Sequence, residues 1–270
     1  MTVGGAGPPI LLLHGFPQTH LAWRFVAAEL VSRATVVCPD LRGYGASRVR
    51  AGAGFSKRVL ARDAVDVMGD LGFDRFTVVG HDRGALVGFR LAMDHPGVVV
   101  RLAVVGAVPS VDRWATVGGF AGDDWHHLFL AQPGEVAERM VAAAPEVFFG
   151  NVLGADADTA GVMPAPVRQA YLLTASSPEV IRAICGDFRA SATVDRAHDE
   201  DDRQAGRRLA APTLAVWADT WSFPDPAGVW SGWADDLRTV VLPGARWLPE
   251  VRPVELSRAV LDLMGLPASV

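Results

Sequence analysis

Three residue types are scarce in this chain of 270 residues: it has two cysteines, two tyrosines and one lysine. Cys38 and Cys185 stand far apart in no ligand-like spacing, so neither a disulfide framework nor a structural zinc site is supported. Positive charge rests almost wholly on arginine, and the formal net charge is −5 with a pI near 5.8. That balance argues against a phosphate-tracking surface, and nucleic acid is not expected as a partner. Aliphatic runs such as 10–13 are far too short to span a bilayer, and the N-terminus lacks the basic-then-apolar order of a signal peptide. The expectation is a cytoplasmic protein with no membrane partner. No metal-ligand cluster or dinucleotide fingerprint is present, so neither a metal nor a cofactor is expected. One further absence bears on chemistry. The seven histidines, His14, His20, His81, His95, His126, His127 and His198, all precede residue 200.

What is there reads as a globular protein: half of the residues are apolar, 20 % are charged and the mean hydropathy is +0.22. Buried-strand runs at 9–13, 35–38, 76–79, 101–108, 213–218 and 239–242 alternate with helix-competent segments. This predicts an α/β fold with a mostly parallel sheet and helices on both faces. From 110 to 211 the strand rhythm stops, and helices are predicted near 135–144, 166–174 and 178–187. The expected organisation is a core of 1–109 and 212–270 with an inserted helical cap of 110–211. The run Asp199-Glu200-Asp201-Asp202 on the return limb reads as a solvated loop. A C-terminal amphipathic helix is predicted over 254–264.

Gly80-His81-Asp82-Arg83-Gly84 lies between a buried strand and a helix. Flanking glycines remove side chains that would clash in a sharp strand-to-helix turn, so the middle residue can take a strained backbone conformation and present its side chain at the sheet edge. That residue is Asp82, and the helix start behind it favours negative charge.

With HGFPQTHLAW, VVCPDLRGYGAS, VGHDRG, LAMDHP and the segment 125–130, the whole chain resembles the α/β-hydrolase fold in its aspartate-nucleophile branch. Fluoroacetate dehalogenases, haloalkane dehalogenases and epoxide hydrolases make up that branch, and the first of these is the strongest likeness. The resemblance implies that Asp82 displaces halide to form an ester, which a histidine-activated water then hydrolyses. It implies that Arg83 binds the substrate carboxylate, and that the backbone N–H groups of Phe16 and Arg83 line an oxyanion hole. Trp125, Trp221 and Trp247 fall beside its pocket-lining positions, which would suit a flat or bulky small-molecule substrate.

Against that pattern, the base position is Arg246, and a guanidinium stays protonated and cannot accept a proton from water. The position of the acid that would orient the base is Gly106. Asp219 or Asp225, after the next strand, could serve instead, but neither has a histidine to orient. Leu86 replaces a second carboxylate-binding arginine. The halide-binding positions map to His126, His127 and Phe188, of which only the first matches. An epoxide hydrolase needs two cap tyrosines, and only Tyr171 lies in the cap. The usual N-terminal antiparallel strand pair is shortened, which predicts a newly exposed sheet edge and the possibility of a homodimer.

Three functions are consistent with these residues. The first is an enzyme that has lost hydrolysis and performs a non-hydrolytic step on a bulky organic substrate, such as C–C bond formation, cyclisation, elimination or isomerisation, in bacterial natural-product biosynthesis. The second is a dehalogenase- or epoxide-hydrolase-like enzyme with His126 or His127 as a relocated base. The third is a non-catalytic small-molecule binding protein. His14 and His81 are expected to be structural, and Asp40 and Arg42 to order their loop.

Overall fold

The computed structural model describes residues 1–50, 52–117, 125–154, 163–244 and 246–267. Seven strands form one sheet: β1 (Thr2–Gly4), β2 (Pro9–Leu13), β3 (Thr35–Cys38), β4 (Phe76–His81), β5 (Val99–Val105), β6 (Thr213–Ala218) and β7 (Leu237–Leu242). Their order is β1-β3-β2-β4-β5-β6-β7, and every pairing is parallel except that of β1 with β3. The aliphatic run 10–13 and all of β4 are buried, which is why these strands read as unbroken apolar segments.

Helices α1 (Arg24–Leu30), α2 (Lys57–Asp70) and α3 (Arg83–Asp94) follow β2, β3 and β4. Side chains of α2 and α3 share one core with Leu11, Val78 and Val104. On the other sheet face, Val26 and Leu30 of α1 and Leu256, Val260 and Leu261 of the helix Pro253–Met264 pack on Ile10, Val79 and Val105. The strands' carboxyl ends share one edge, where ligands of parallel α/β sheets bind.

Three expectations change. The edge of β3 is not open, because Thr2↔Cys38 and Gly4↔Val36 pair it with β1, which itself becomes the edge. The strand expected over 101–108 stops at Val105, because Gly106 turns out of the sheet at φ 63°. The acidic run 199–202 is neither loop nor solvated as a whole. It lies in the helix Arg196–Gln204, and Asp199 and Asp202 are buried against Arg90 of α3, each with an N–O distance of 2.5 Å. Between β5 and β6 the described elements are helices, including Val136–Ala143, Ala165–Ala175 and Pro178–Ala190 near the predicted positions. No helix among the described residues is long and apolar enough to cross a membrane.

Candidate active site

β4 ends at His81 and α3 begins at Arg83, so Asp82 makes the whole turn between them with φ 49° and ψ −116°. It is the one non-glycine residue of positive φ among those described. The glycines are required on both sides. A Cβ on Gly80 would strike the backbone of Gly84 and Ala85, and one on Gly84 would strike the carbonyl oxygens of Leu13 and His14. This is the strained elbow expected from the motif.

Above the elbow, the N–H of Phe16 donates to Asp82 Oδ2 at 2.9 Å. The loop bearing Phe16 is fixed by His14, which is fully buried. Leu41 N–H donates to its Nε2 at 3.0 Å, so Nδ1 carries the proton and donates to the Gly15 carbonyl at 2.9 Å. Burial lowers the His14 pKa to about 4, so this tautomer stays neutral. Asp40 ties the neighbouring loop by accepting from the His20 and Ala46 N–H groups at 2.8 and 3.0 Å.

Asp82 opens onto a cavity of about 260 Å³ between the strand ends and the helices that follow β5. Of the residues expected at the site, Asp82, Arg83, Trp125, His126, His127, Trp221 and Arg246 line it. The His126 and His127 rings lie 4.5 Å apart. Burial holds the pKa of His127 well below its ordinary value, reinforced by the neighbouring His126 ring and by the charges of Arg113, Arg83 and Arg246. Gly106 lines the same cavity beside His81, whose Nε2–H donates to the Arg246 carbonyl at 3.1 Å. Burial lowers the His81 pKa as well.

Four expected residues lie outside the cavity wall. Phe16 contributes through its backbone: its N–H on Asp82 Oδ2 stands where negative charge would form on that carboxyl oxygen if an Asp82 ester were attacked, and its ring packs on His126, Phe149 and Phe188. Phe188 sits behind the wall, with the Arg83 guanidinium 4.3 Å from its ring centre. Tyr171 is drawn away because its hydroxyl donates to Glu250 Oε1 at 3.1 Å, in a satellite cluster with Leu153, Met163 and Trp247. Trp247 is fully buried there, edge-on to His81.

Arg83 lines the cavity with part of its guanidinium committed to a buried carboxylate. Its Nε donates to Asp187 Oδ2 at 2.6 Å and Nη2 to the Asp187 carbonyl at 3.0 Å. Asp187 also pairs with Lys57, whose Nζ is 3.8 Å from Asp195 Oδ2, and Tyr44 donates to it at 3.4 Å. Burial opposes ionisation of Asp187, but Arg83 and Lys57 prevail and its pKa is lowered. The chain's one lysine is thus a buried counterion.

Sequence reasoning missed Asp187, Arg113 and Asn151. Arg113 was within reach of a positional argument, because it follows the carboxyl end of β5 by a short loop. Among the described residues there is no group of three or more His, Cys, Asp or Glu that could hold a metal ion.

Comparison with known proteins accords with this geometry. A fluoroacetate dehalogenase from Burkholderia sp. is 36 % identical over 97 % of this chain and 89 % of its own length. A soluble epoxide hydrolase from Corynebacterium sp. (strain C12) is 28 % identical over 92 % of this chain and 87 % of its own. Among solved structures, a Pseudomonas aeruginosa protein provisionally assigned as an epoxide hydrolase superposes with a TM-score of 0.93. It is 41 % identical over 97 % of this chain and 90 % of that one. The family model described as alpha/beta hydrolase fold matches residues 8–250. With its aspartate elbow at the strand edge and that match across most of its length, the chain belongs to the α/β hydrolase fold family.

Proposed function

We propose that the chain is an enzyme that binds a bulky organic substrate between the sheet edge and the helices after β5, and acts on it through Asp82 without hydrolytic turnover. The observation that carries this reading is the arrangement at the cavity corner beside His81. There the wall presents Gly106 and Arg246, a residue with no side chain and a permanent cation. Neither can take a proton from water. A covalent ester on Asp82 would find no base in either residue, and the unprotonated ring nitrogen of His81 beside them, Nδ1, is buried away from solvent, so chemistry that ends without water activation is favoured.

Phe16 N–H holds Oδ2, and in this reading Oδ1 is the oxygen that meets the substrate. Oδ1 takes a proton from a substrate carbon or hydroxyl, and the negative charge left on the substrate faces the cationic wall. The proton then returns at another position. No oxidant, reductant or water is consumed. Isomerisation and cyclisation have this form; in an aldol- or Michael-type addition the carbanion adds to a carbonyl or alkene that then receives the proton from Asp82, and in an elimination the proton leaves with the expelled group. Such steps fit bacterial natural-product biosynthesis.

The test is incubation with fluoro-, chloro- and bromoacetate in ¹⁸O-labelled water. Halide release is expected to stop at or below one equivalent per chain, whereas steady release by the wild type would overturn the reading. In D₂O, flat carbon acids such as aryl ketones should exchange hydrogen for deuterium faster than in enzyme-free buffer, and Asp82→Asn should return the rate to that background. A second reading, hydrolysis with His127 or His126 as the base, is favoured by the neutral His127 imidazole on the same wall. It predicts continuous ¹⁸O incorporation that His127→Phe or His126→Phe removes.

A further inference from the structure

Two guanidiniums on the cavity wall differ in what surrounds them. Arg83 is matched by Asp187. Arg246 also lines the cavity and is partly exposed there, yet it has no ion-pair partner among the described residues. Its guanidinium rests 4.7 Å from the centre of the Trp247 ring, and its backbone carbonyl accepts from His81. Stacking occupies a face of the guanidinium and leaves its in-plane N–H donors uncommitted.

The space beside it is open. A Cβ on Gly106 would meet nothing closer than 3.8 Å, the His81 ring, so neither bulk nor a carboxylate fills this part of the floor. Further along the wall His127 has a pKa lowered first by burial, with Arg246 among the charges that reinforce the shift. Covering an unmatched guanidinium with a neutral ligand costs its hydration without replacement. An anionic group returns that loss through charge-assisted, bidentate hydrogen bonds. Trp125 and Trp221 supply aromatic surface on the same cavity.

We infer that the corner formed by Arg246 and Gly106 is an anion subsite, which holds the carboxylate of an aryl-bearing organic acid while Asp82 faces the reacting atom. This rests on the reading that Asp82 acts on a substrate in this cavity, and it names the substrate's class.

The probes are phenylacetate and its neutral isostere phenylacetamide, followed by quenching of tryptophan fluorescence and by calorimetry. The acid should bind more tightly by about ten- to a hundredfold, the range open to a charge-assisted pair in a partly enclosed site. Arg246→Gln and Arg246→Ala should erase that preference by weakening the acid while leaving the affinity of the amide unchanged. Thermal unfolding of each variant verifies that the fold is retained. Asp82→Asn, which disables the proposed chemistry, should keep or enlarge the preference for the acid, so the chemistry and the subsite fail separately. Equal affinities in the wild type, a preference that survives Arg246→Ala, or no saturable binding of the acid up to its solubility limit would each overturn the subsite.

Discussion

At Asp82 a single residue carries both the strain and the chemistry. A non-glycine φ of 49° paired with a ψ of −116° costs of order 1–3 kcal/mol and persists because the surroundings over-determine it. The surroundings can be named: Gly80 and Gly84 approach their neighbours' backbones so closely that no side chain fits, and Gly15 is held to the same standard. A Cβ at Gly15 would lie 2.7 Å from Asp82 Cβ and 3.1 Å from His81 Nδ1. Gly84→Ala should therefore destabilise the chain by about 1–3 kcal/mol, as overpacking does, because backbone carbonyls cannot step aside. Gly97→Ala, where nothing lies within 4 Å, should leave urea unfolding unchanged. Equal midpoints for the two variants would show that the elbow has slack. The elbow was legible because both glycines and the aspartate fall within five consecutive residues. The partner of Arg83 was not, because Asp187 lies 104 positions away and nothing local in either segment marks the pair.

Among the elements, the telling contact is that of α2 and α3 with the helix Pro178–Ala190. Each contributes a buried charge: Lys57 and Arg83 from the first two, Asp187 from the third. Buried pairs contribute little net stability when intact but are costly to break, because the surviving charge is left without a partner. Asp187→Asn leaves Arg83 without a carboxylate and Lys57 with only Asp195, 3.8 Å away. It should lower unfolding stability by about 3–5 kcal/mol in urea titrations, and a change below about 1 kcal/mol would mean that water already reaches the cluster. Most strand and helix ends were readable, since apolar runs such as 9–13 and 213–218 are bounded by turn residues. The acidic run 199–202 misled because charge is ordinarily a mark of exposure. A signal was present even so: Asp195, Asp199 and Asp202 are spaced by four and three, one face of a helix, and Arg90 inside α3 needed anions.

Over the whole molecule, burial has set the protonation of groups spread through core and cavity wall, and this gives stability a definite pH dependence. His14, His81 and His127 all have pKa values lowered by burial, His14 to about 4 from an ordinary 6.5. Unfolding returns each to its ordinary value, so between pH 6.5 and about 4 the unfolded chain binds more protons than the folded one. Stability present above pH 6.5 is therefore lost as the pH falls through that window, and His14 alone accounts for about 3 kcal/mol. Asp187, Asp40 and Asp94 have lowered values against the opposition of burial, because cations or hydrogen-bond donors hold their charged forms. Their contribution is also lost on acidification, below the window of the histidines. Two carboxyls oppose the trend: burial raises Asp199 to about 6 and raises Glu250, so the folded chain takes up their protons first and gains stability as the pH drops toward their unfolded values. With His198, whose pKa burial also lowers, four histidines outweigh two carboxyls between pH 6.5 and 4, and the unfolding midpoint should fall steadily across that range. Calorimetry at pH 5, in buffers of different ionisation enthalpy, should register net proton uptake on unfolding. A midpoint that holds or rises on acidification, or proton release at pH 5, would mean that the imidazoles are solvated in the folded chain and that the His14 bridge between the Phe16 and Leu41 loops is open.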